Sequence, residues 1–410
     1  MTTTDQTGTD QTGTGLAATG TWRRRIWRLW TAVVLLVVLG GTLYAVQRQH
    51  SPTWPVPHAD ASVAGTPVTV GTDVCGTGWA GGDAGRTTFA LWNDSVDGME
   101  VYLRDVATQK VYLDVENLGA GATRSASVTL GPGRYAFRCL PDDADPVTGT
   151  ARTVAGVAPS AVTPGLVPIS SADLIPPTQQ YEAWVEHRLP ALRQQVTRLA
   201  ADLRAGERAT AKQDWLAAHG TYETLGAAYD AFGDYDAAIN GDGRGFHRLE
   251  SQLWGDGGAS AEQRTAARLV DAVDRLQRAF PRLAAQLGTQ AIGLRSHEIL
   301  ENAIQFELTG ATDAGSHTEL ATVDANLTGT LAALKPLGPL LARRDPGLAA
   351  TRTWIARSRR LVRSYHTAAG WKPLDALSRP QRERLDATLE QTVEYLSQVA
   401  VITEPRRTDQ

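Results

Sequence analysis

Three textures of apolar and polar positions follow one another along the chain. From Leu29 to Val46, eighteen residues pass without a charge, dominated by Val and Leu; such a run is just long enough to cross a hydrocarbon core of roughly 30 Å. From about 67 to 157 short stretches alternate: Val68 and Val70, Phe89 and Leu91, Val101 and Leu103, Val111, Leu113 and Val115, Val128 and Leu130, Tyr135 and Phe137. Asn93-Asp94, Asp97-Gly98 and Gly131-Pro132-Gly133 punctuate them as turns. About seven short strands in such a span predict a β-sandwich. From Tyr181 to about Val401 the period becomes helical, with helices expected over about 178–204, 208–231, a short one around His247, then 260–286, 289–309, 317–334, 349–369 and 379–401. Short connections between such helices predict an all-α bundle.

The flanks complete the organisation. Residues 1–21 begin with repeated Thr-Asp-Gln-Thr-Gly-Thr, a polar tail with little to bury. Residues 22–48 form the expected transmembrane anchor, with Arg23, Arg24, Arg25 and Arg28 before the apolar run. The positive-inside rule then holds the N-terminus in the cytoplasm and makes this a single-pass protein of the cell membrane, its bulk extracytoplasmic. A cleaved signal peptide is the alternative. A spacer covers 49–66, the β-sandwich 67–157, a Pro-rich linker 158–177, the helical domain 178–403 and a short tail 404–410.

Composition narrows the function classes. With 42% hydrophobic and 20% charged residues the balance is globular, and a formal charge of −4 gives no nucleic-acid footprint. The basic residues are spread along the chain rather than gathered in a patch. Cys75 and Cys139 are the two cysteines, too few for a disulfide-dense scaffold or a cysteine-rich zinc site. They close an early and a late strand. In an exported protein an inter-strand disulfide is one reading, and a copper or iron site using Cys75, Cys139 and Glu100 is the other. A blue-copper centre is disfavoured, because Leu140-Pro141-Asp142-Asp143 stands where a histidine or methionine should follow the late cysteine.

Candidate chemistry lies in the helical part. In Gly245-Phe246-His247-Arg248-Leu249-Glu250 an imidazole and a carboxylate are three residues apart, which on a helix puts their Cβ atoms roughly 5–6 Å from one another. That pair suits a borderline divalent or a trivalent metal, because imidazole serves Fe, Cu and Zn while carboxylate prefers harder ions such as Fe(III). His219 and Glu223 share a face four apart, and Glu298, Glu301 and Ser316-His317-Thr318-Glu319 add further donors. His297-Glu298-Ile299-Leu300-Glu301 approaches the zinc-protease pattern, but Glu301 stands where the second histidine is needed. No nucleophile elbow, phosphate loop or dinucleotide fingerprint occurs.

Trp215 through Trp254, with His219-Gly-Thr-Tyr-Glu223, Phe232-Gly-Asp-Tyr-Asp236 and Gly245-Phe-His-Arg-Leu-Glu-Ser-Gln-Leu-Trp254, resembles the imelysin-like domain of the EfeO/EfeM iron-uptake family. Leu308-Thr-Gly310, Ser316-His-Thr-Glu-Leu320 and Asp324-Ala-Asn-Leu-Thr-Gly329 continue the match over roughly 178–402. The preceding β domain resembles the cupredoxin-like domain of the EfeO branch. The resemblance implies an extracytoplasmic iron-binding component working beside a membrane iron permease and a haem-dependent peroxidase, and not an enzyme. It places the family's metal motif on His247 and Glu250, and further ligands on Glu223, Glu301, His219 and His317. Fe(II) or Fe(III) is the implied metal, with copper an alternative in the β domain and zinc in the helical one. The chain departs from the family at Asn302, where a second glutamate is usual, at Ala311–Gly315, where an acidic run is usual, and at Glu319, usually aspartate. A cell-surface zinc-dependent hydrolase and a surface scaffold with a decayed metal site are the competing readings.

Overall fold

A computed structural model describes residues 62–289, 291–313 and 315–407. The expected tail 1–21 and anchor 22–48 lie outside the described residues, as does the spacer up to residue 61. Among the described residues no helix is long and apolar enough to cross a membrane.

The alternating stretches form a two-sheet β domain. One sheet holds β1 (Thr66–Val70), β2 (Cys75–Thr77), β4 (Gly85–Asn93) and β7 (Thr123–Leu130) in the order β2-β1-β4-β7. The other holds β3 (Gly82–Asp83), β5 (Met99–Asp105), β6 (Val111–Leu118), β8 (Gly133–Pro141) and β10 (Arg152–Ala155) in the order β3-β10-β8-β5-β6, with β9 (Val147–Thr148) beside β8. The alternate apolar residues meet between the sheets, Val70, Phe89, Leu91, Val101, Leu103 and Phe137 being fully buried. Trp79, Phe89 and Phe137 pack edge to face, with ring centroids 5.1–5.6 Å apart.

Cys75 on β2 and Cys139 on β8 are joined by a disulfide, which staples one sheet to the other. The alternative of a copper or iron site on Cys75, Cys139 and Glu100 is thereby corrected. A disulfide leaves no thiolate to ligate, and the strand register adds a second obstacle. Val101 pairs with Cys139 on the inner face, so Glu100, one residue earlier on β5, points to the outer face. There it lies with Asp114 and Glu116 of β6. Burial, reinforced by Asp114 and Glu116 and opposed by a hydrogen bond with Tyr102, pushes the Glu100 carboxyl up to about 7.

The helical period gives α1 (Ser171–Ala205), α2 (Arg208–Glu223), α3 (Gly245–Trp254), α4 (Ala259–Leu283), α5 (Ala291–Asn302), α6 (Glu319–Arg344), α7 (Leu348–Arg363) and α8 (Arg379–Ile402). Several boundaries differ from the sequence expectation, the ends of α6 (Arg344 against 334) and α7 (Arg363 against 369) among them. The first helix begins at Ser171 rather than 178, inside the expected linker, because Ser170 and Asp173 form a reciprocal capping box and Leu174, Pro177 and Tyr181 bury against the bundle. The expected second helix over 208–231 stops at Glu223 and dissolves into short helical turns over 226–239. Those turns put Tyr229 and Phe232 over Tyr222, with centroids 5.1 and 6.2 Å away.

The β and helical parts are tied by chain from both ends of the bundle. Leu166, before α1, exchanges two backbone hydrogen bonds with Val111 at the start of β6, at 2.7 and 2.9 Å. After α8 the chain returns: the Arg406 amide donates to Ile169 O at 2.8 Å, and its guanidinium pairs with Asp114 at 2.7 Å. Arg407 donates to the carbonyls of Leu140 and Pro141.

Candidate metal centre

Two helices bring the first donors together. On α2, Ala211, Trp215, Ala218 and Tyr222 make the buried stripe, and His219 and Glu223 sit beside it, one turn apart. On α3, Phe246, Leu249 and Leu253 bury, which leaves His247 and Glu250 on the flank that faces α2. The Trp215 indole donates to Phe246 O at 3.0 Å and fixes the start of α3 against α2. His219 then lies 4.7 Å from the Trp215 ring, 5.2 Å from Phe246 and 5.6 Å from His247, centroid to centroid. The approach is possible because Gly245, with φ of 44°, opens α3; a Cβ there would meet Ile239 O at 1.8 Å.

The third wall comes from the segment between α5 and α6. A π-helical turn, Ala303–Glu307, follows α5. Its wider spacing returns Glu307, five residues after Asn302, to the face that Asn302 occupies, and both line the same cavity. The chain then bends so that Asp313 takes a left-handed backbone with φ of 51° and is only 1% exposed. Thr322 of α6 donates to its Oδ2. Glu250 Oε1 accepts from the amides of Gly315 and Ser316 at 3.0 and 2.8 Å, bolting this loop to α3. Ligand atoms of His247, Glu250 and Asp313 consequently lie within 4.8 Å of one another. A cavity of about 310 Å³ opens beside them, lined by His219, Glu223, Asn240, His247, Glu307 and Asn326 among others.

The electrostatics of this cluster are those of an excess of buried carboxylate. Burial pulls His219 down, but Asp313 first, then Glu223 and Glu307, outweigh it and push the imidazole up to about 9. Burial pushes Glu307 up to about 9 as well, with Glu223 and Asp313 repelling its charge. Asp313 is raised by burial against the pull of His219, while His247 is lowered by burial and by repulsion from His219. Burial would also raise Glu223, but the facing His219 imidazole, aided by His247 and by the Asn240 amide, holds it below the usual carboxylate range. His219 Nε2 lies 3.2 Å from Glu223 Oε1, and its Nδ1 lies 3.7 Å from Asp313 Oδ1. Asn240 donates to Glu223 at 2.7 Å, and Asn326, with its amide nitrogen turned inward, reaches Glu223 Oε2 at 3.1 Å.

Several buried atoms here have no hydrogen-bond partner: both ring nitrogens of His219, Asp313 Oδ1, Glu307 Oε2 and Glu319 Oε2. Buried polar atoms are normally satisfied. Orphaned donors and acceptors gathered around one imidazole–carboxylate cluster suit a bound cation. The donors, nitrogen and hard oxygen without sulfur, fit iron.

Of the residues singled out from sequence, His247, Glu250, His219 and Glu223 are brought together. Glu301 is not. Its side chain is 50% exposed and pairs with His297 at 3.3 Å, beside a separate groove that contains Glu390 and Glu394. The near-protease motif is thus closed on itself, its histidine facing its own glutamate. His317 is exposed with φ of 56° and contributes its amide, which donates to Asp313 O at 2.7 Å, rather than its ring. Sequence reasoning missed Asp313, Glu307, Asn240 and Asn326. Asp313 was in view, as the one acid in the stretch where an acidic run was expected.

Residues 227–399 match the model of the Imelysin family. The chain is 25% identical over 334 residues to the iron uptake system component EfeO of Yersinia pseudotuberculosis, covering 77% of this chain and 85% of that protein. The chain is also 25% identical to the components of the same name from Escherichia coli K12 and Shigella flexneri, over 337 residues and the same shares. These matches bear out the resemblance carried by the residues around His219 and His247. The shared name is that of an uptake component and not of an enzyme.

Proposed function

We propose that this chain, a relative of the EfeO iron uptake components, is the extracytoplasmic member of such a system and captures iron at His247, Glu250 and Asp313. The observation that carries the reading is the convergence of those three ligand atoms within 4.8 Å, ringed by buried donors that lack partners. One imidazole and two carboxylates bind Fe(II) or Fe(III) as cargo rather than as a resident cofactor, since the open cavity leaves coordination positions for water and for exchange. His219, Glu223 and Glu307 surround the ion with hydrogen bonds and charge, support that typically changes metal affinity about 10–100-fold. The cargo passes to a membrane permease, with a haem-dependent peroxidase as the third member. The β domain, with its cysteines bonded, serves as a stapled spacer, and the apolar run 29–46 tethers it to the membrane.

Titration of the full-length chain with Fe(II), Fe(III), Cu(II) and Zn(II), beside His247→Ala/Glu250→Ala and Asp313→Asn, tests the site. Tight iron binding that weakens by at least about 100-fold in the double variant is expected. Equal binding by wild type and both variants would remove the cluster from the function, and binding by none of them would favour a scaffold.

A further inference from the structure

The second large cavity of the helical domain is basic and lies behind the metal centre. It has a volume of about 570 Å³ and runs between α3 and α4. Arg244 and Arg248 reach it from the start of α3, and Arg264, Arg268 and Arg275 from a single stripe of α4. On α3 Arg248 and Gln252 are one turn apart, on the other side of the helix from His247 and Glu250, with Arg244 at its start. One short helix therefore presents an acid-binding face and a cation-binding face back to back.

Three independent features point to a ligand. First, none of the five guanidiniums forms an ion pair or a side-chain hydrogen bond among the described residues, whereas Arg193, Arg208, Arg278 and Arg295 nearby are all paired with carboxylates. Asp271, one turn from Arg268 and Arg275, is exposed and pairs with neither. Second, Gln252, only 7% exposed, lines the groove and adds a neutral amide NH2 donor beside the guanidiniums. Third, the ten-residue α3 has no side-chain cap, so its first amides open at the rim formed by Gly243, Arg244 and Gly245.

We propose that this groove binds a compact polyvalent oxyanion, its charge met by Arg244, Arg248, Arg264, Arg268 and Arg275 and its inner end by the Gln252 amide. Guanidinium forks match the paired oxygens of phosphate and carboxylate groups, and the buried Gln252 sets a depth that a small ligand reaches more readily than a flat surface does. The chemistry is shared by condensed phosphates and small polycarboxylates. It does not depend on the metal reading.

The test is calorimetric titration of the full-length chain in detergent with pyrophosphate and, separately, with citrate. Binding of at least one is expected, weakening as salt rises. It should fall by about tenfold or more in Arg248→Ala/Arg268→Ala, fall in Gln252→Ala, and stay unchanged in Arg343→Ala/Arg360→Ala, which removes two exposed charges elsewhere. His247→Ala/Glu250→Ala should keep the anion site, so failure of the metal proposal and failure of this one are read separately. The inference is overturned by an absence of binding to both probes, by equal weakening in the distant arginine pair, or by association with phosphatidylglycerol vesicles alone.

Discussion

At the scale of single residues, the candidate metal centre is a problem in buried charge. Glu307 is the clearest case. Its carboxyl is raised from the ordinary range to about 9 by burial and by the neighbouring Glu223 and Asp313. A carboxyl with a raised folded pKa favours the fold fully below its unfolded pKa, and that contribution is lost as pH rises through the folded value. The metal-free protein should therefore lose stability between about pH 5 and 9, and Glu307→Gln should remove part of that loss. Thermal melts are expected to show the variant gaining a few °C over wild type at pH 8.5 and nothing at pH 4.5; the same difference at both pH values would contradict the assignment. His-x-x-Glu and His-x-x-x-Glu were legible in sequence because helical spacing places their side chains on one face. Glu307 and Asp313 were not, because their placement depends on a π turn and a left-handed residue, and neither has a periodic signature.

At the scale of elements, the site depends on how α3 begins. Gly245 has a positive φ and no room for a Cβ, with Ile239 O in the way, so Gly245→Ala must shift either the preceding turn or the helix that carries His247 and Glu250. A destabilisation of at least about 2 kcal/mol is expected, accompanied by weaker metal binding. Chemical denaturation and metal titration of the same variant check both parts. Element type was readable over most of the described residues, since periods of 2 and 3.6 separate cleanly at the linker; His366–Thr367, expected in a helix, pairs instead with Gly370–Trp371. Boundaries were less so. Proline-rich composition hid the start of α1, where the Ser170–Asp173 box and the buried Leu174 and Tyr181 override the two prolines of its early turns. The end of α2 was read too late, because Tyr229 and Phe232 keep an apolar pattern while folding back over Tyr222 instead of extending the helix.

At the scale of the whole molecule, the β domain and the bundle are fastened by different means and should respond separately. The disulfide closes a sequence separation of 64 residues, for which loop-closure entropy gives about 4 kcal/mol. Reduction should therefore lower the denaturation midpoint of the β domain while leaving iron binding at the proposed site of His247 and Glu250 unchanged. Loss of iron binding on reduction would instead implicate the cysteines in the site. The bundle also gathers five arginines of α3 and α4 around one groove, although the basic residues are scattered evenly along the chain. A linear count of charge cannot reveal such a cluster, because its members come from two helices packed side by side.

The sequence by itself determined the succession of textures, the helical pairing of His247 with Glu250 and of His219 with Glu223, and the kinship those motifs announce. Each follows from local geometry, which repeats every two or every 3.6 residues whatever the rest of the chain does. Only the tertiary structure decided that Cys75 and Cys139 bond across the sheets, that Asp313 rather than Glu301 or the His317 ring completes the cluster, and that the arginines converge behind it. Those outcomes depend on which faces pack together and where a backbone turns against its period. A left-handed Asp313 and a π turn before Glu307 are stable only because the surrounding bundle holds them.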